Sequence, residues 1–146
     1  MPPITVSAEV ERSAADVYAY TTDPARFSAW QQGVVSGHME PDATGGIRRC
    51  VTVRKIGFAE RASTSEVVYA DPPRAWSLRG IDGPIRALVE VRVTLLADTR
   101  SRVTIAVDFE GHGVGRLLVP LVVRRQARKE MPTNIATLKR RLESAS

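Results

Sequence analysis

The sequence predicts an α+β domain: a curved antiparallel sheet of about seven strands, covered by one long C-terminal helix, with two short helices after the first strand. Three observations carry this. Apolar and polar residues alternate with period two over Ile4–Val10 and again for about 75 residues from position 33. Met131, Ile135, Leu138 and Leu142 are spaced four, three and four, the period of a helix with one apolar stripe. A length of 146 residues, 43% of them hydrophobic, suits a single domain over 1–146 that buries a core without staples.

Each element follows in order. Ile4, Val6, Ala8 and Val10 alternate with Thr5, Ser7, Glu9 and Glu11, a half-buried strand. Ser13 offers an N-cap, with Asp16 three residues on, to a helix over Ala14–Tyr20. Asp23-Pro24 caps a second short helix reaching Trp30, with proline at its first position. Val35, Gly37 and Met39 mark the next strand, and Thr44-Gly45-Gly46 a turn. Ile47, Arg49, Val51 and Val53 then share one face of a strand, with Arg48, Cys50, Thr52 and Arg54 on the other. Gly57 marks a turn, and a long polar strand runs from Glu60 to Ala70, stopped by Pro72-Pro73. Trp76, Leu78 and Gly80 alternate up to Gly83-Pro84. Val89, Val91, Val93 and Leu95 form one strand of a hairpin, turned at Asp98-Thr99, whose other strand carries Val103, Ile105, Val107 and Phe109. Charged residues on the alternate positions give the sheet one wet side and one covered side. Leu117, Leu118, Leu121 and Val122 extend the apolar stripe of the last helix upstream, and Pro132 predicts a kink or frayed join near residue 130.

Charge and cysteine content exclude several classes. The formal charge is +5, yet residues 1–112 carry 13 basic and 14 acidic side chains, and residues 113–146 carry 8 and 2. The excess belongs to the C-terminal segment. Two readings of it compete: the solvated side of an amphipathic helix, or a face steered toward an anionic membrane. Nucleic acid is not expected, because that segment has no aromatic residues to stack on bases. The lone cysteine, Cys50, excludes a disulfide framework and cysteine-rich zinc modules. The N-terminal stretch lacks a basic, then long apolar, targeting pattern, and the apolar run Leu117–Val123 is interrupted by Pro120, so the expectation is a cytoplasmic protein. The dominance of arginine among the basic residues points to a bacterial source.

One helix is narrower than a strongly curved sheet. Closing the gap needs large side chains, and only 5% of the residues are aromatic. A cavity between helix and sheet is therefore expected, apolar with a few polar groups. Its predicted lining is Trp30, Arg49, Val51, Tyr69, Trp76, Leu78, Val91, Val107, Leu121 and Met131. Arg49 shares parity with Val51 and Val53. It either anchors a ligand carboxylate, phenolate or enolate, or snorkels to water from an exposed strand end. Tyr69 shares parity with Val67 and is a candidate hydroxyl donor. Arg49 and Tyr69 are the candidate catalytic groups, stabilising an enolate or donating a proton.

Other patterns are less informative. Gly111-His112-Gly113-Val114-Gly115 sits between a strand and a helix, as phosphate loops do. The chain after it has no room for the parallel strand and acidic residue of a dinucleotide site, so a flexible lead-in to the helix is expected. His38 and His112 belong to no metal-spaced pair, and no serine sits in a nucleophile elbow. No metal or other cofactor is implied.

Several strings, over nearly the whole chain, resemble the START-like, Bet v 1-like helix-grip superfamily, SRPBCC, in its polyketide cyclase/dehydrase-like branch. They are Val6–Asp16 running into a short helix, Asp23-Pro24 to Trp30, and the step Gly83-Pro84-Ile85-Arg86. Asp98-Thr99-Arg100 and the Gly111–Gly115 string before a helix ending Leu138-Lys139 and Leu142-Glu143 complete the set. The resemblance implies a cavity for a small hydrophobic or amphipathic ligand, sometimes with cyclisation or dehydration of a bound polyketide, without metal or covalent intermediate. It carries over no catalytic residue. The alternatives are a non-enzymatic lipid carrier or membrane-surface module using the basic helix and, more remotely, an interaction module in a stress or ribosome-linked system. Monomer and homodimer are both open.

Overall fold

The computed structural model describes residues 2–40, 48–56 and 58–144. Ile47 and the turns at Thr44-Gly45-Gly46 and Gly57 lie outside the described residues. Strands β1 (Ile4–Val10), β2 (Val34–Glu40), β3 (Arg49–Ile56), β4 (Ala59–Asp71), β5 (Ala75–Gly80), β6 (Ile85–Ala97) and β7 (Arg100–Gly111) form one antiparallel sheet. Its order is β1-β7-β6-β5-β4-β3-β2, so the chain crosses from one edge to the other after β1 and meanders back.

The crossing is made by α1 (Ala14–Thr21), a 3-10 turn (Pro24–Arg26) and α2 (Phe27–Trp30). Both expected caps are in place. The Ser13 hydroxyl accepts from Asp16 N at 3.2 Å, and the Asp23 carboxylate accepts from Ala25 N at 3.0 Å. These satisfy amide donors that have no partner within their own helix.

From Gly115 the chain stays helical to Ser144, as α3 (Gly115–Leu118), a π turn (Val119–Val123) and α4 (Arg124–Ser144). The irregular join lies at the π turn around Pro120, not near residue 130, and α4 runs on through Pro132. A π turn inserts an extra residue into the helical repeat. The buried positions show it: Gly115 and Val119 are four apart, Val119 and Arg124 five apart, and Met131, Ile135, Leu138 and Leu142 continue at helical spacing. The insertion rotates Arg124 onto the buried stripe.

The core lies between the sheet, α1, α2 and α4. Val10, Val17, Val103 and Leu138 are fully buried, with Leu142 almost so. Phe27 packs edge-on against Trp30 and Trp76, with ring centroids 6.0 and 6.3 Å away.

Candidate functional site: the loosely covered end of the concave face

Directly opposed residues of antiparallel strands share a face. Cys50 is buried in the core, so its partners Met39 and Ser65 face α4 as well. The same parity puts Thr52 and Arg54 of β3, and Ser63, Arg61 and Val67 of β4, on the concave side. Register carries it on through Leu78 and Val89 to Val107.

Coverage differs between the two ends of this face. At one end the sheet residues Val10, Val93 and Val103 are buried under α1 and the C-terminal half of α4. Polar latches close that end. Arg12 Nη1 donates to Leu142 O at 2.9 Å, Lys139 Nζ to Glu9 O at 2.6 Å, and Glu11 N to the Glu143 carboxylate at 3.0 Å. At the other end, where α4 begins, Ile4, Met39, Val67, Val89, Val107 and Phe109 are only half-buried, although they are apolar and face inward. The helix grips one end of the sheet and leaves the other loosely covered.

Arg54 is on the same concave face, near the end of β3, where it pairs with Val34 and Arg61. Its Nη2 donates to Gln31 Oε1 at 3.2 Å, the one side-chain hydrogen bond it makes among the described residues. The Arg54 side chain is exposed. Desolvation pushes its pKa below the ordinary arginine value, while Glu130 and Cys50 pull it back. Glu130 is itself held by Gln126 Nε2 at 2.8 Å and makes no ion pair with Arg54. Beside Gln31, the Trp30 indole N–H is buried and unpartnered among the described residues. An unpartnered buried donor is uncommon in a folded protein.

The expected lining is only partly where the sequence put it. Trp30, Trp76, Leu78, Val91 and Met131 are buried in the core and Val107 is on the half-buried floor. Arg49 and Val51 are on the opposite, convex face, because the parity of β3 is the reverse of that expected: Cys50, not Val51, meets the core. Arg49 faces Glu66 at 4.0 Å with half its side chain exposed. Tyr69 is also on the convex face, 54% exposed, because a bulge between Val67 and Tyr69 shifts the register by one residue. Leu121 is 66% exposed and lies off the buried stripe.

Sequence reasoning missed Arg54, although it stands on the strand opposite Arg49 in parity. It also missed Arg124, counted with the solvated basic face. Arg124 is 4% exposed, and donates to Asp108 Oδ1 at 2.8 Å and Pro2 O at 2.6 Å. It ties the start of α4 to the starting edge of β1 and the end of β7.

The glycine string is a close-packed joint rather than a flexible lead-in. A Cβ at Gly115 would overlap the Pro84 carbonyl oxygen, and one at Gly111 the Gly115 carbonyl. His112 N donates to Pro84 O at 2.8 Å. The His112 ring is exposed, 3.6 Å from the Glu110 carboxylate. Among the described residues, no three His, Cys, Asp or Glu side chains are grouped to hold a metal ion. Nor is any of their helices long and apolar enough to cross a membrane. Two clefts built from described residues lie elsewhere, one along Ala136, Lys139 and Arg140 and the other between Ala14 and Pro73.

Cys50, the chain's one cysteine, faces the concave side and is buried. Desolvation raises its pKa to about 11, so it is a thiol at neutral pH. The folded protein should resist thiol-reactive dyes below pH 9.0 and label fully in denaturant. An unfolded thiol ionises near 9.0 and the folded one near 11, so ionisation favours unfolding between the two, and stability should fall as pH rises through that window. Urea midpoints for Cys50→Ala should lack that share of the decline; identical pH profiles would contradict it.

The family model described as polyketide cyclase / dehydrase and lipid transport matches residues 1–143. The chain belongs to this family. Solved structures agree on the fold. A protein from Thermus thermophilus is similar with TM-score 0.76 at 18% identity, with 99% of each chain covered. The di-domain ARO/CYC BexL is similar with TM-score 0.75 at 16% identity over 98% of this chain, which spans 47% of that longer protein. A START superfamily protein from Mycobacterium smegmatis is similar with TM-score 0.70 at 12% identity, with 100% of each chain covered. No curated protein matches. The chain thus has a helix-grip fold like that of the START superfamily protein, with its sheet open rather than closed into a barrel.

Proposed function

We propose that the protein binds a small amphipathic molecule with an acidic or enolic end at the loosely covered end of the concave face. The apolar body lies on Val67, Val89, Val107 and Phe109, and the anionic end meets Arg54. One observation carries this reading: an exposed arginine on the concave face whose guanidinium donates one side-chain hydrogen bond among the described residues. A guanidinium offers five N–H donors, so most of them remain for a ligand anion. A cation so placed also stabilises an enolate. The polyketide cyclisation or dehydration named in the family description would therefore use Arg54 for charge and the apolar floor for holding the chain in a reactive shape.

Two probes test this: a fused-ring aromatic carboxylic acid and its methyl ester, titrated against the protein by NMR. The acid should bind more tightly. Arg54→Ala should weaken the acid at least about tenfold, the size of a charged hydrogen bond, and leave the ester unchanged. Arg49→Ala should change neither. An Arg54→Ala protein that binds the acid as well as the parent, or an Arg49→Ala protein that does not, overturns the assignment.

A further inference from the structure

From Gly111 to Lys129 the chain holds five basic residues and no Asp or Glu. Arg124 is engaged with Asp108 and Pro2. The other four, Arg116, Arg125, Arg128 and Lys129, are exposed and make no ion pair among the described residues. In the same stretch Val114, Leu117, Leu121 and Val122 are 62%, 66%, 66% and 51% exposed. Val114, Leu117 and Leu121 are spaced three and four, off the buried positions Gly115 and Val119, and beyond the π turn the exposed Arg125, Arg128 and Lys129 flank the buried Arg124. A solvated helix side has no need of four large aliphatic side chains in nine residues.

We propose that this ridge docks the protein on an anionic lipid surface, with the aliphatic side chains in the interface and the four cations at the headgroups. The chemistry is that of an interfacial amphipathic helix: apolar residues for burial, unpaired lysine and arginine for anionic lipid. Charge complementarity selects the occupant. A second copy of the chain using the same ridge about a two-fold axis would set these cations against their own counterparts. Nucleic acid would find no aromatic side chain on the ridge to stack on. Of the basic residues near the C-terminus, Lys139 is paired with Glu143 at 2.8 Å, and Arg140 and Arg141 lie about four turns along the helix from Arg125. The ridge starts at the end of the sheet that α4 leaves loosely covered, so docking brings that opening to the membrane. The proposal does not depend on what the concave face holds.

The test is co-sedimentation with phosphatidylcholine vesicles, with and without phosphatidylglycerol, at low and high salt. Binding should require the anionic lipid and weaken as salt rises. Arg125→Gln with Arg128→Gln should lower affinity roughly 25-fold, at the scale of one basic residue per anionic surface contact. Leu117→Gln with Leu121→Gln should lower it at least about tenfold through lost apolar burial. Arg140→Gln with Arg141→Gln should leave it unchanged. All these side chains are exposed, so circular dichroism should report an intact fold for each variant. A Leu117→Trp protein gives a readout independent of affinity: brominated acyl chains should quench its added fluorescence, while the parent, whose Trp30 and Trp76 are buried, stays unquenched. Equal partition onto neutral and anionic vesicles, no binding at low salt, or ridge variants that bind like the parent would each overturn the proposal. So would self-association abolished by Leu117→Gln, which would assign the ridge to a second copy.

Discussion

Leu138→Ala should destabilise the protein by about 2–5 kcal/mol, the range for a large aliphatic side chain removed from a packed core. Leu138 is fully buried on α4, at the end of the sheet closed by Val10, Val103 and Leu142. The polar latches from Arg12 and Lys139 fix the helix there, so it cannot settle into the space left behind. At about 2–4 °C of melting temperature per kcal/mol for a domain near this size, the midpoint should drop by roughly 5–15 °C. Leu121→Ala is the matched comparison, the same chemical change on the same helical run at a site 66% exposed. It should stay within about 0.5 kcal/mol of the parent. Equal losses at the two positions would contradict the difference in grip between the two ends of the sheet. Binding of the aromatic acid should be unaffected by Leu138→Ala at temperatures where the variant is folded, because that residue is at the closed end.

That difference between ends explains what the sequence could and could not disclose. Period-two alternation is readable in β1, β5, β6 and β7, where one face is wet and the other covered. The capping residues Ser13 and Asp23 and the stripe from Met131 to Leu142 were equally plain. The site was not, and each failure has a local cause. On β3 both faces carry a mixture: Arg49, Val51 and Val53 on one, Arg48, Cys50, Thr52 and Arg54 on the other. Hydrophobicity favours the first set as inward, but the core selects the second through Cys50. A strand next to the sheet edge, whose concave side is only partly covered, is under little pressure to be apolar there. The polar set Thr52, Arg54, Ser63 and Ser65 on the concave side is therefore what concealed the parity of β3. Tyr69 was misplaced by one extra residue in β4, a bulge that no residue type announces.

Arg124 shows the same limit on a helix. Extending a 3.6-residue repeat backward from Met131 already brings position 124 to the apolar stripe. The arginine side chain argued against that assignment, and the π turn at Val119–Val123 broke the link to the apolar residues upstream. Once Asp108 is seen to meet it, the position makes sense, since a buried guanidinium needs a partner of opposite charge. The same phase change that carries Arg124 inward leaves Leu117 and Leu121 outside. One inserted residue thus closes the lower joint of the helix and exposes the aliphatic ridge beside it.

Gly115→Ala should destabilise the protein by about 1–3 kcal/mol, the cost of overpacking a site that cannot yield. Three backbones meet at this joint. Gly115 is buried where the helix starts, Pro84 leads into β6, and Gly111 ends β7. The atom an added methyl would meet is the Pro84 carbonyl oxygen, which belongs to the backbone and already accepts from His112 N at 2.8 Å. Moving it would break that bond, and moving the helix would strain the Arg124 contacts to Asp108 and Pro2. Gly113→Ala separates this effect from loop freedom. Gly113 has φ +60° and open space around its Cα, so an added Cβ there costs only the left-handed backbone, about 1 kcal/mol. Thermal melts should therefore rank Gly115→Ala below Gly113→Ala. The reverse order would mean that the glycines serve loop flexibility after all. If the joint also sets the position of the start of α4, Gly115→Ala should weaken the aromatic acid at temperatures where the fold is intact, whereas Gly113→Ala should not. A shift in the first residues of α4 changes the cover over Val107 and Phe109, the floor on which that ligand would lie.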